Sequence, residues 1–184
     1  MQTPGPARHG RHLGLGLLWA SLLAPALAFG AGVIEEALGV RFGMSAEQVL
    51  QSVHSSARQE LLSDEVMGRD RVIRAGRAQD GEQSHVLYVL PDSRDRLALV
   101  IETFPGRTDA EPIIADLRKR FGPPMPEGMA EKLLERMRAG LPEGVRKLTL
   151  WTGTGDDANR LVRLLHFDNH LAVEHLAPDL MAGR

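Results

Sequence analysis

The stretch HFDNHLAVEH, residues 166–175, sets His166, His170 and His175 beside Asp168 and Glu174. Histidine with aspartate or glutamate is the ligand set of many zinc and non-haem iron centres. Backbone geometry decides whether these side chains can meet. Asp168 and Asn169 both tolerate positive φ and suit a two-residue hairpin turn. That turn opposes Phe167 to His170, His166 to Leu171, Leu164 to Val173, Arg163 to Glu174 and Val162 to His175. Side chains alternate between faces, so His166 and His175 share one face but stand about 13 Å apart along the ladder. His170 falls on the other face, with Arg163 and Glu174 forming a cross-strand ion pair. In this register no two of the histidines reach one ion, and no metal ligand is assigned. A three-residue loop would instead set His166 opposite His170 and Val162 opposite Glu174.

Other candidate chemistry is thinner. WTGTGDDANR, residues 151–160, holds a Gly-x-Gly after a strand, but a dinucleotide fingerprint needs a third glycine and a helix at that point. Asp156 and Asp157 would also oppose a phosphate, so a hairpin loop is expected. The 12-residue calcium-loop pattern is absent. No serine lies in G-x-S-x-G. Ser45 reads as a helix cap, and His54 with Ser52, Ser55 and Ser56 as a solvated helix end. The acid pairs at 35–36 and 156–157 sit at segment ends, where exposed carboxylates are ordinary. No catalytic residue, no cofactor-binding residue and no cofactor is assigned.

The elements around these residues are more legible. In GVRFGMSAEQVLQSV, Ser45 and Gln48 make a capping box, and Met44 with Val49 a hydrophobic staple. Val49, Leu50 and Val53 then form one apolar stripe. SSARQELLSDEV, from Ser55, either extends that helix or loops away, and RVIRAGRA is a short strand. His85–Leu90 and Leu97–Phe104 flank the turn-forming Pro91-Asp92-Ser93, which predicts an antiparallel hairpin with an exposed tip. Both runs are apolar enough to be central in the sheet and covered on both faces. A second helix starts at Thr108 or Asp109 as cap, tolerates Pro112 in its first turn, and aligns Ile113, Ile114, Leu117 and Phe121. Gly122 supplies its left-handed cap, and Pro123-Pro124 stops it. EGMAEKLLERMRAG is a third, amphipathic helix with Met129, Leu133 and Met137 in line. Its polar face mixes Glu131, Glu135, Arg136 and Arg138, which suits a helix on the protein's own sheet rather than on a membrane surface. VRKLTLW, RLVRLLHF and HLAVEHL are strands. The order helix, strands, helix, strands predicts an α+β fold, a mainly antiparallel sheet with two or three helices packed on it.

The first 28 residues predict an address rather than structure. Arg8 and Arg11 precede an apolar run, Leu13–Ala28, that ends in Ala26-Leu27-Ala28. A basic region, a short apolar core and small residues at the cut describe a secretory signal peptide, with cleavage after Ala28 and a periplasmic or secreted product. Sixteen residues with two glycines and Pro25 are short for a membrane span, which needs about 20. Residues 29–184 are then expected to form a single α+β domain without stable membrane insertion. The chain holds 22 basic and 24 acidic residues, and both arginines of the leader would be lost from that count. Such an acidic balance gives no general attraction for nucleic acid. With no cysteine, disulfides, thiol catalysis and lipid attachment at cysteine are excluded.

Gly43-Met44-Ser45 followed by Glu47 and Val49 resembles the helix opening of small exported envelope modules. Examples are the outer-membrane-assembly lipoproteins of the SmpA/OmlA type and the β-lactamase inhibitor proteins. Leu117-Arg-Lys-Arg-Phe-Gly-Pro-Pro is similar to a helix ending in such proteins. The likeness covers these two boundaries, and the lacking lipid-attachment cysteine departs from the lipoprotein pattern. It implies a small α/β module that binds other proteins without catalysis, and it carries over no binding residue. The expected function is therefore that of a soluble exported, non-catalytic binding or accessory protein whose partner is another envelope protein. The alternative is a periplasmic hydrolase with a site assembled from residues distant in sequence. A cleft with convergent titratable groups favours the enzyme, and a broad apolar surface the binder. The apolar C-terminal hairpin is one such candidate surface, unless residues 126–139 cover it.

Overall fold

The computed structural model describes residues 34–79, 81–91, 95–107, 109–137, 141–154 and 159–181, and of residues 133–135 and 137 the backbone only. The expected signal peptide, the tip at Asp92-Ser93, the cap Thr108 and the acids Asp156-Asp157 lie outside the described residues, as do the side chains of Leu133 and Met137.

A ribbon of β1 (Glu36–Ala37) and β2 (Val40–Arg41) leads into helix α1 (Ala46–Ser55). Four strands follow: β3 (Gln59–Met67), β4 (Asp70–Gln79), β5 (Glu82–Leu90) and β6 (Leu99–Pro105). Helices α2 (Glu111–Phe121) and α3 (Glu127–Met137) precede β7 (Lys147–Thr152), β8 (Leu161–His166) and β9 (His170–Leu176). A short α4 (Pro178–Met181) closes the described chain. The fold class is α+β. One seven-stranded sheet runs β3-β4-β5-β6-β9-β8-β7, antiparallel throughout.

Strand register places two helices on one face. Val100 opposes both Tyr88 and His175, and His175 opposes Val162, so these residues look the same way. On that face α1 lays Ala46, Val49 and Val53 over Ile73, Ala75, Val86 and Tyr88. Alongside, α2 lays Ile114, Leu117 and Phe121 over Val162, Leu164, Leu171 and Val173. The two helices sit over different halves of the sheet and leave a gap between them, above its central strands. On the opposite face Ala130 of α3 packs with Leu150, Leu161 and Leu176.

Local chemistry explains the helix ends. Ser45 accepts from the Gln48 backbone N–H, and the Gln48 side chain accepts from the Ser45 N–H, completing the capping box. Asp95 Oδ1 adds an acceptor for the Ala46 N–H at 3.2 Å. Gly122, at φ 78°, ends α2, and the Trp151 indole N–H donates to its carbonyl at 3.0 Å. That bond ties the helix to β7.

Several expectations need correction. Residues 59–67 neither extend α1 nor loop away; they form strand β3. A bulge between Leu61 and Ser63 breaks the two-residue alternation that would have marked it. The segment beginning at Asp70 is not short but a ten-residue strand. At the start of α2 the cap position is Ala110, without a side-chain cap, and Asp109 Oδ1 accepts from the Glu111 N–H. Met129 does not face the sheet; it is 52% exposed, and Ala130 takes the buried place. Strands β5 and β6 are central as expected, but one face is only half covered, at Leu87, Val89, Leu99 and Ile101.

Candidate binding cleft

The C-terminal hairpin has the register derived from its turn: Val162 opposes His175, Arg163 opposes Glu174, and His166 opposes Leu171. Phe167 N–H donates to the His170 carbonyl at 3.0 Å, and the two rings stack at 4.2 Å. Arg163 and Glu174 form the expected ion pair, both buried. Among the described residues no group of three metal-ligating side chains comes together. The hairpin's strands are not an open surface: Leu161, Val162, Leu164 and Leu165 are fully buried beneath the rest of the fold. Ser52 Oγ donates to the Gly39 carbonyl and Ser55 Oγ to the Ser52 carbonyl, so the cluster around the exposed His54 serves the helix end.

A different set of residues meets between the β1–β2 turn and α2. There a cleft of about 460 Å³ opens over the central strands. Its floor is built from four strands: Arg77 of β4, Ser84 of β5, Glu102 and Phe104 of β6, and Val173 and His175 of β9. One wall is α2, through Ile113, Asp116, Leu117 and Arg120. Leu38 closes the other side, and Glu82 and Arg107 stand at the mouth.

Glu102 is the centre of the floor. It is 6% exposed, and a buried carboxylate needs partners. Ser84 Oγ donates to its Oε1 at 2.6 Å, and Arg77 Nη1 donates to the same oxygen at 2.6 Å. Both bonds fall on Oε1, so Oε2 is the acceptor that remains. Tyr88 lies next along the floor; its hydroxyl donates to Gln59, and burial holds its proton well above the ordinary phenol range.

His175 is the second unusual group. It is 2% exposed, and its Nδ1 has no hydrogen-bond partner among the described residues. Burial, helped by the positive charge of Arg120, pushes its pKa down from 6.5 to about 3. The ring stays neutral at ordinary pH, with the Phe121 ring edge-on at 6.1 Å. His166 shifts the same way, first through burial and then through Lys147.

Leu38 adds a third. Leu38 and Gly39 form the two-residue turn of the β1–β2 ribbon, with φ values of 55° and 86°. Such a turn prefers Asn-Gly, and a leucine there carries strain of about 1–3 kcal/mol. Bonds from Gln59 Nε2 to the Leu38 carbonyl and from Ser52 Oγ to the Gly39 carbonyl hold it in place. The turn presents a leucine to the cleft where a polar residue would fold more easily.

Chemically, the arrangement offers fixed donors and acceptors beside the apolar side chains of Leu38, Phe104, Ile113, Leu117 and Val173. The Ser84 hydroxyl donates to a carboxylate oxygen that Arg77 also holds, which makes Glu102 a weak base for it, and no hydroxyl is bonded to a histidine among the described residues. Of the polar groups on the floor only His175 drew notice from sequence, and for another purpose. Glu102 gave the one available signal, a lone acid inside the apolar run LALVIETF. Arg77 and Ser84 gave none, because only the register brings them to the same place. Compared with protein-family models, with curated proteins and with solved structures, the chain matches none.

Proposed function

We propose that the chain is an exported, non-catalytic binding protein of the cell envelope that holds a ligand in the cleft between the β1–β2 turn and α2. One observation carries this reading: residues from four strands and α2, distant in sequence, converge on a half-apolar cleft where the bonds from Arg77 and Ser84 both fall on Glu102 Oε1 and His175 Nδ1 has no partner among the described residues. Clefts of this size with few convergent polar groups are the usual form of small-molecule sites. Convergent titratable groups also suit an enzyme. Here the hydrogen bonding favours binding, since the carboxylate oxygen that accepts from the Ser84 hydroxyl is also held by Arg77, which makes it a weak base. Export rests on Leu13–Ala28 and its Ala26-Leu27-Ala28 ending, and the two helix-boundary resemblances point to the same compartment.

A second reading, contact with another envelope protein, is favoured by edge strand β3, which exposes Leu62 (55%), Val66 (72%) and Met67 (50%). Edge strands accept extended segments of partners. The bulge after Leu61 and the pairs Arg71–Asp64 and Arg74–Glu65 blunt this edge, which ranks it second.

The test is purification from the native envelope, then denaturation and analysis of what is released. A stoichiometric small molecule is expected from the wild type and not from Ile113→Trp, which fills the cleft from its α2 wall. Release of nothing that depends on the cleft would contradict the reading. N-terminal sequencing of the same preparation should begin at Phe29; an intact Met1 would remove the export.

A further inference from the structure

Resting on the cleft as a binding site, we infer that its ligand is a zwitterionic amino-carboxylate with an apolar side chain, a free amino acid or a short peptide. The charge of the lining is balanced. Three guanidinium groups, Arg77, Arg107 and Arg120, face three carboxylates, Glu102, Glu82 and Asp116. Each cation has its own acid: Arg77 with Glu102 at 2.6 Å, Arg107 with Glu82, and Arg120 with Asp116 at 3.6 Å. A ligand of one net charge would leave an unpaired charge in a partly desolvated site, which is costly. A ligand carrying both signs can add to such pairs and leave the balance at zero.

The pairs differ in what they keep in reserve. Glu102 has Oε2 left to accept from an ammonium group. Arg120 holds Asp116 loosely, through one contact between two partly exposed side chains, so its guanidinium retains donors for a carboxylate. Arg120 also lies close enough to act on the ring of His175, which places it above the same floor as Glu102. Leu38, Phe104, Ile113, Leu117 and Val173 supply the apolar surface for a side chain. A sugar is a poorer fit. Phe104 is the aromatic residue of the lining, and the Arg107 guanidinium stands 6.0 Å over its ring, where a sugar face would stack.

The test is calorimetric titration of the purified chain with four probes: L-leucine, L-leucyl-L-leucine, N-acetyl-L-leucine and L-leucinamide. The two zwitterions differ in length; the other two each lack one charge. At least one zwitterion should bind, and both single-charge probes should bind about tenfold more weakly or less. Binding of both zwitterions points to a free amino acid, and of the dipeptide alone to a peptide. Arg120→Gln, an exposed change that leaves the floor intact, should weaken the zwitterion about tenfold and leave leucinamide unaffected. Equal binding of N-acetyl-leucine or leucinamide would overturn the ligand class while the site stands. Silence from all four probes, with a cleft-dependent molecule still released from native material, would do the same. Silence together with no released molecule would overturn the site as well.

Discussion

His175 shows how one side chain can tie a binding floor to pH. Its neutral ring is buried between Phe121 and the strand, with Arg120 and Glu102 as the charged neighbours lining the same cleft. Above about pH 6.5 the ring is neutral in both the folded and the unfolded chain, and the stability that depends on it is fully present. As pH falls from 6.5 toward about 3, the unfolded chain takes up a proton that the folded chain refuses. Stability should then drop by up to about 1.4 kcal/mol per pH unit. Urea titrations between pH 7 and pH 4 would measure the slope, and His175→Leu should flatten it. A residual slope is expected from His166, which shifts in the same direction. An unchanged slope in His175→Leu would show that the ring is not held neutral. On the opposite face, Arg163 and Glu174 are buried together. Arg163→Met alone should destabilise by about 3–5 kcal/mol, because it strands a carboxylate away from water. Adding Glu174→Met should restore most of that loss. Two simply additive losses in denaturant unfolding would contradict a coupled pair.

At the scale of elements, what was legible followed from local rules. The capping box at Ser45 and Gln48 marked α1 because its partners lie three residues apart. Gly122 before two prolines marked the end of α2 for a similar reason. The Asp168-Asn169 turn gave the whole β8–β9 register, since a two-residue loop leaves no freedom in pairing. That register separates His166 from His175 along one face and sends His170 to the other. What was illegible depended on partners far along the chain. Strand β3 hides behind a bulge, and its Asp64 and Glu65 are explained only by Arg71 and Arg74 across the ladder. In α3 the small Ala130 faces the sheet, packed with Leu150 of β7, while the longer Met129 is exposed. The cleft was invisible for the same reason: Arg77, Ser84, Glu102 and His175 share a floor through three strand pairings, not through spacing.

The whole molecule is a sheet unevenly dressed. Helices α1 and α2 pack on different halves of one face, and α3 covers one side of the other face. Had a single long helix crossed the first face, Glu102 would have had to be apolar. Instead the sheet carries buried polar residues between the β1–β2 turn and α2, and these are the main argument for a ligand. No helix of the described residues is long and apolar enough to cross a membrane. The most direct measurement is amide NMR on the labelled chain, titrated with the low-molecular-weight fraction of a cell-envelope extract. Saturable shifts are predicted at Arg77, Ser84, Glu102, Phe104, Ile113 and Arg120, around the cleft. Shifts that leave these residues unmoved and gather along Leu62–Met67 of β3 would contradict a ligand in the cleft.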